Sequence, residues 1–381
     1  MDAEPLVVTR REVASESGLR ESMHAPMHEP PGNEAVDHAS RATNGGVENV
    51  HHGSIAVVSA DGALTHFAGD PDYLTFTRSM LKPLQALPFI RDGGHIHYGW
   101  GSREVALMCA SHSGEVMHTE VVAAMLESSG SEESQLQCGC HVPGWYAALD
   151  RAPPEGARFT AIQHNCSGKH AGFLASCRFH SEPVEDYLDP AAPVQRRVAA
   201  AVAHVSGLTE RALVTGTDGC SAPNYAMPLS RLAFAYGHLA QGRSAAREVE
   251  TMRDALGVVF DAMTGHPELV SGTARSDQAL MSFAPGDWVT KIGADGGQAI
   301  GIRSAGIGIA IKIADGNRDA LYCAVIETLR QLGLFDGRFE SPGDAAQGVP
   351  QSLARWRGAV LRNARGLATG RMSARFKLRA A

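Results

Sequence analysis

The chain has 381 residues, 44% hydrophobic and 20% charged, with a net charge of −7. That profile fits a soluble globular protein with a sizeable core, and it argues against a general nucleic-acid binder, which needs a basic surface. No stretch approaches the ~18 uninterrupted apolar residues of a membrane span, and "MDAEPLVVTRRE" lacks a charged-then-apolar signal pattern, so a cytoplasmic protein is expected.

Residues 1–10 carry a short strand from Pro5 to Arg10. Residues 11–45 are polar, with little to bury, and are predicted to be a mobile insertion. His24 and His28 there have i,i+4 spacing, but Pro26 between them spoils the helix that could bring both to one metal. The fold proper begins near Gly46. "GSIAVVSADGALTHF" (53–67) reads as a hairpin turning at Asp61-Gly62. A helix starts close to Ser79, because Pro83 cannot donate to a helical ladder. Residues 103–115 read as a helix leading into a polar turn, and further helices are predicted over 117–130, 171–180, 244–255 and 316–333. Segments 287–297 and 306–316 read as strands with glycine-rich turns. Ile307, Ile309, Ile311 and Ile313 keep a strict period of two. Strands early and late around a helical middle predict an α/β fold, one sandwich rather than repeated βαβ units.

Four polar clusters could carry chemistry. In "FTRSMLKPLQALPF" (76–89), Ser79 and Lys82 stand three apart and share a helical face. They are either a nucleophile with its base or a helix cap beside a solvated lysine. The apolar flanks Met80, Leu81, Leu84 and Leu87 favour packing, and a packed lysine is costly to keep charged. An ordinary lysine is neutral only about 0.1% of the time near pH 7.5, so a base needs a shift of about two to three units. "CASHSGE" (109–115) places Ser111 and Ser113 around His112. "HNCSGKHAG" (164–172) gathers Asn165, Cys166, Ser167, Lys169 and His170, and "GTDGCSAPNYAMPL" (216–229) puts Asp218 and Cys220 on a loop. Each of these reads equally as a capped turn or polar connection. Seven cysteines, an odd number, fit reduced thiols. Spacing alone does not indicate zinc, and Cys138-Gly139-Cys140-His141 fits no common finger.

These motifs occur together and in the order found in the rhizobial-type, thermolabile L-asparaginase II family, which the chain resembles from about residue 46 to about 370 plus "EPLVVTR". The resemblance implies that 46–381 is an asparaginase catalytic domain with the fold of a serine β-lactamase or transpeptidase, an antiparallel sheet sandwiched with helices. It implies hydrolysis of L-asparagine to L-aspartate and ammonia, two serine–lysine pairs, a homodimer and one zinc. Residue by residue, Ser79 and Lys82 match the first pair, and Ser111 with Lys291 the second. Cys166, Lys169 and Cys220 match the metal ligands, and Arg78, His170 and Asp218 their neighbours. Asp295 stands where the family usually has Glu. The expected reaction is serine attack on the side-chain amide through an acyl-enzyme, with zinc tuning substrate binding rather than activating water. Ser-x-x-Lys also belongs to penicillin-recognising acyl transferases and β-lactamases, but their Ser-Asp-Asn and Lys-Thr-Gly motifs are missing. A non-catalytic, zinc-responsive binding protein is the third reading.

Overall fold

The computed structural model describes residues 3–11, 46–338 and 348–381. Residues 12–45 of the predicted insertion, including His24 and His28, lie outside the described residues. The strands are β1 (Glu4–Arg11), β2 (Val47–Ser59), β3 (Leu64–Ala68), β4 (Leu74–Phe76), β5 (Val214–Thr217), β6 (Pro223–Pro228), β7 (Trp288–Gly293), β8 (Gly297–Ile302), β9 (Ile307–Ile313), β10 (Val360–Arg362), β11 (Ala368–Ala374) and β12 (Arg379–Ala380). The main helices are α1 (Lys82–Arg91), α2 (Ser102–Met108), α3 (Val116–Ser128), α4 (Ser167–Phe179), α5 (Pro193–Ser206), α6 (Leu229–Gln241), α7 (Arg253–Gly265), α8 (Ser276–Phe283) and α9 (Arg318–Gln331).

Nine strands form one antiparallel sheet, in the order β10-β11-β1-β2-β9-β8-β7, with β3 joining β2 to β12. A small sheet, β4-β6-β5, stands apart. Strand alternation gives the large sheet two different faces. Ile55, Val57, Ile300, Ile302, Ile309 and Ile311 point to one side and pack with Leu280 of α8 and Leu321, Val325 and Leu329 of α9. Ala56, Val58, Val289, Ala299 and Ala310 point to the other and join the core built from α1 to α7. The β9 residues between the isoleucines, Gly308 and Ala310, are buried as well. β9 lies between β2 and β8, with helices on both faces, so Gly308 to Ile311 are buried on both sides.

The small residues let α6 settle directly on the sheet. A Cβ on Gly308 would collide with the Ala233 carbonyl, and one on Gly301 with the Tyr236 carbonyl. This close seat carries the Tyr236 hydroxyl to the Met80 carbonyl, which accepts its hydrogen bond at 2.7 Å. The sheet thereby fixes the turn that holds Ser79.

The hairpin at 53–67 forms as β2 and β3. The helix expected at Ser79 opens as a 3-10 turn, Arg78–Leu81, before α1 starts at Lys82. The helix expected over 244–255 is instead two 3-10 turns, Gly242–Ser244 and Arg247–Met252, kinked at Val249 (φ −112°, ψ 23°). The longer apolar stripe Ala255, Leu256, Val259, Phe260 and Met263 anchors the true helix, which begins at Arg253.

Candidate active site

Lysine is the residue type least often buried without a purpose. The chain's lysines are Lys82, Lys169, Lys291, Lys312 and Lys377. The first three are 1%, 3% and 0% exposed; Lys82 and Lys169 stand in the predicted clusters, and Lys291 is the one that the resemblance alone supplied.

Lys82, the first residue of α1, points its amine across to the loop after α2. Nζ hydrogen-bonds the Ala110 carbonyl, the Ser111 hydroxyl at 2.9 Å and the Asn165 carbonyl at 3.3 Å. The serine it hydrogen-bonds is Ser111, and no hydrogen bond joins it to Ser79 among the described residues. The two carbonyls can only accept, so they occupy two N–H bonds of the amine. Ser111 is buried, with its own N–H on the Val270 carbonyl at 2.9 Å. Ser79 is half-buried, and its hydroxyl has no hydrogen bond among the described residues.

Arg78, just before Ser79, has φ +48°, a left-handed backbone that non-glycine residues rarely adopt. Buried Asn224 of β6 holds it there. Asn224 Oδ1 accepts from Arg78 N at 3.1 Å, and Nδ2 donates to the Arg78 carbonyl at 3.2 Å. The Arg78 guanidinium then reaches Asp218 at 2.8 Å and pairs with exposed Asp295. Asp295 is itself left-handed at φ +56°, and its carbonyl accepts from Lys312. A cavity of about 420 Å³ opens here, lined by Phe76, Arg78, Asn224, Asp295 and Lys312 among others. Burial alone would raise Asp218, but Lys169 and Arg78 outweigh it and hold the carboxyl below its usual range.

Cys166 caps the start of α4, which turns Lys169 inward. Lys169 Nζ lies 2.9 Å from Cys220 Sγ, and Asp218 Oδ2 accepts from Cys220 at 3.7 Å. A hydrogen bond from Cys220 holds the Cys166 thiol well below its ordinary value, and the same bond raises Cys220. Burial opposes the Lys169 charge, but Cys220, Cys166 and Asp218 together leave it raised. His170 is buried behind them. Gln137 N–H donates to the Tyr187 hydroxyl at 2.8 Å, and that hydroxyl hydrogen-bonds His170 Nδ1 at 2.7 Å. Burial pulls His170 down to about 4, so the ring is neutral. Cys166, Lys169 and Cys220, the set that the resemblance gives to a metal, lie together here, and Lys169 would have to lose its proton to bind one. Among the described residues no group of three or more His, Cys, Asp or Glu could hold a metal.

Lys291 lies on β7, fully enclosed. Nζ donates to the Ile292 carbonyl at 2.9 Å and sits 3.6 Å from Asp277 Oδ2. Burial, offset in part by Asp277, lowers it to about 7. Its charge and that of Lys82 oppose one another, but Lys291 makes no hydrogen bond to Ser111 among the described residues.

Asn224, Tyr236, Tyr187 and Asp277 were not singled out by the sequence. Each acts through a partner more than 13 residues away or through buried hydrogen bonds, which leave no local spacing signal. Ser113 and His112 prove to be turn-builders. Ser113 donates to the Ser271 carbonyl, and His112 Nε2 bonds Ser167 Oγ, each at 2.8 Å.

Two solved structures of Mglu, in its native form and in its glutamate form, are 16% and 17% identical to this chain. They are matched over 77% and 75% of it and over 67% and 62% of their own chains, with TM-scores of 0.41 and 0.39. No curated protein sequence matches. The family described as L-asparaginase II matches residues 39–374, which span the sheet, the three buried lysines and both cysteine loops, and the chain belongs to the L-asparaginase II family.

Proposed function

We propose that the protein hydrolyses L-asparagine to L-aspartate and ammonia by serine–lysine catalysis. The observation that carries this is the half-exposed, uncommitted Ser79 hydroxyl three residues before a buried amine that Ser111 and two carbonyls hold in place. Substrate enters the cavity beside Arg78, whose volume suits a small amino acid. Arg78 faces the α-carboxylate, and Asp218 and Asp295 face the α-ammonium. Ser79 Oγ attacks the side-chain amide carbon, and Lys82 takes the hydroxyl proton. The C–N bond breaks as that proton passes to the leaving nitrogen, so ammonia departs and an aspartyl ester remains on Ser79. Water, giving its proton to Lys82, cleaves the ester. Ser111 orients Lys82 throughout, and Lys291 sets the local field from behind.

The antiparallel sheet with helices on both faces supports a serine β-lactamase or transpeptidase-like reading of the fold. Cys166, Lys169 and Cys220 would hold one zinc. A zinc held by two thiolates would be a weak Lewis acid and would serve substrate binding rather than activation of water. Its effect would pass through Asp218, which accepts from Cys220 and holds Arg78 at the cavity. Family membership also supports a homodimer, which sedimentation velocity tests. No described helix is long and apolar enough to cross a membrane.

The functional test is ammonia release from asparagine, compared with glutamine and with a chromogenic β-lactam. Asparagine should be preferred over glutamine by more than the factor of about 10–200 that one methylene gives, since the α-group anchors also fix the distance to the attacked carbon. Equal kcat/KM for the two amides, or β-lactam turnover without ammonia release, would overturn the reading.

A further inference from the structure

We propose that Asp277 is a positioning residue that sets the protonation state of Lys291, an inference that rests on the serine–lysine reading above for its catalytic meaning. Both side chains are completely buried, and neither reaches water. Asp277 lies in the first turn of α8, directly behind β7. Its Oδ1 accepts from Thr290 Oγ1 and from Gln298 Nε2, each at 2.9 Å. Its Oδ2 accepts from the Ile292 amide at 2.9 Å and lies 3.6 Å from Lys291 Nζ. The carboxylate is thus spent mainly on three neutral donors, and the lysine stands just beyond hydrogen-bond range.

This arrangement holds Lys291 between its two states. An ammonium has three N–H bonds, and here only the Ile292 carbonyl takes one directly. A buried charge so thinly satisfied is costly, and without an anion nearby the amine would be neutral at all ordinary pH. Asp277 supplies that anion, weakened by its other bonds. The remaining groups around Lys291 do not replace it. Lys82 and Arg275 disfavour the charge, and Cys166 is a smaller influence than Asp277. Burial pushes the Cys109 thiol up to about 12 and the Tyr236 hydroxyl well above its usual value, so both are neutral.

The structure offers two opposite perturbations. Asp277→Asn removes the anion and should lower the Lys291 titration midpoint. Thr290→Val removes a neutral donor from Asp277, concentrates its charge on Lys291 and should raise that midpoint. A merely structural role for Asp277 would not move the two in opposite directions. The readout is the 13Cε resonance of lysine-labelled full-length protein. Five lysines make the spectrum tractable, and Lys291→Met assigns the signal. We expect a wild-type midpoint near neutrality, at least about a tenfold loss of proton affinity in Asp277→Asn and a gain in Thr290→Val. An unchanged midpoint in both folded variants, or shifts of the same sign, would overturn the proposal. If Asp277→Asn fails to fold, an unmoved or lowered midpoint in Thr290→Val overturns it alone. The acid limb of kcat/KM is followed in parallel. Resonances that shift while that limb stays fixed uphold the Asp277 coupling and remove Lys291 from the catalytic reading.

Discussion

Asn224 grips Arg78 on both sides of its Cα, accepting from its N–H at 3.1 Å and donating to its carbonyl at 3.2 Å. Arg78 keeps a left-handed backbone, which costs of order 1–3 kcal/mol and persists only where the surroundings over-determine it. Strain of this kind sets both the guanidinium beside the cavity and the hydroxyl of the next residue, Ser79. Asn224→Ala should therefore reduce kcat/KM at least about tenfold while destabilising the fold by about 1–3 kcal/mol, the cost of leaving buried groups unpaired. Steady-state kinetics beside a urea titration checks this; normal turnover would show that Ser79 does not depend on the turn.

Tyr236 offers a milder test of the same turn. Tyr236→Phe deletes only the bond to the Met80 carbonyl. It should cost about 1 kcal/mol of stability and lower kcat with little change in KM, since the cavity beside Arg78 is untouched. A change confined to KM would contradict the link from α6 to Ser79.

The layered α/β architecture was legible because its signals are local. The alternating isoleucines of β9 and the Asp61-Gly62 turn announce themselves in a few residues. Three buried lysines were also foreshadowed by apolar flanks or by family likeness. The pairing of Lys82 with Ser111 was not. It depends on the loop after α2 crossing over α1, a relationship of 29 positions that no spacing rule contains. Strands β4, β5 and β6 escaped notice because they are short, and because Pro223 and Pro228 bound β6, which reads as a loop.

Lys291 makes stability depend on pH in a definite direction. The unfolded chain keeps its lysine protons up to about the ordinary 10.5, whereas folded Lys291 keeps its proton only up to about 7. Between those values the unfolded state binds more protons, so folding stability rises with pH, by at most about 1.4 kcal/mol per unit. Below about 7 both states are protonated and the contribution is flat at its least favourable. The unfolding free energy of the wild type, relative to Lys291→Met, should therefore grow between about pH 7.5 and 9.5 in urea titrations. Parallel curves would mean that Lys291 is not depressed.

The thiol cluster should govern affinity. Removing zinc, or making Cys220→Ser, should raise KM several-fold more than it lowers kcat, because Cys220 touches Lys169 and Asp218 rather than Ser79 or Ser111. Metal analysis must accompany the kinetics. A collapse of kcat at constant KM, restored by zinc, would give the metal a catalytic role instead.

The central claim is that Ser79 attacks while Ser111 holds Lys82. Acid-quenching the wild-type enzyme during turnover of L-asparagine, followed by peptide mass spectrometry, locates the aspartyl ester directly. The ester should fall on the peptide containing Ser79, should vanish in Ser79→Ala, and should form slowly but on the same residue in Ser111→Ala. An ester on Ser111, persisting in Ser79→Ala, would contradict the account.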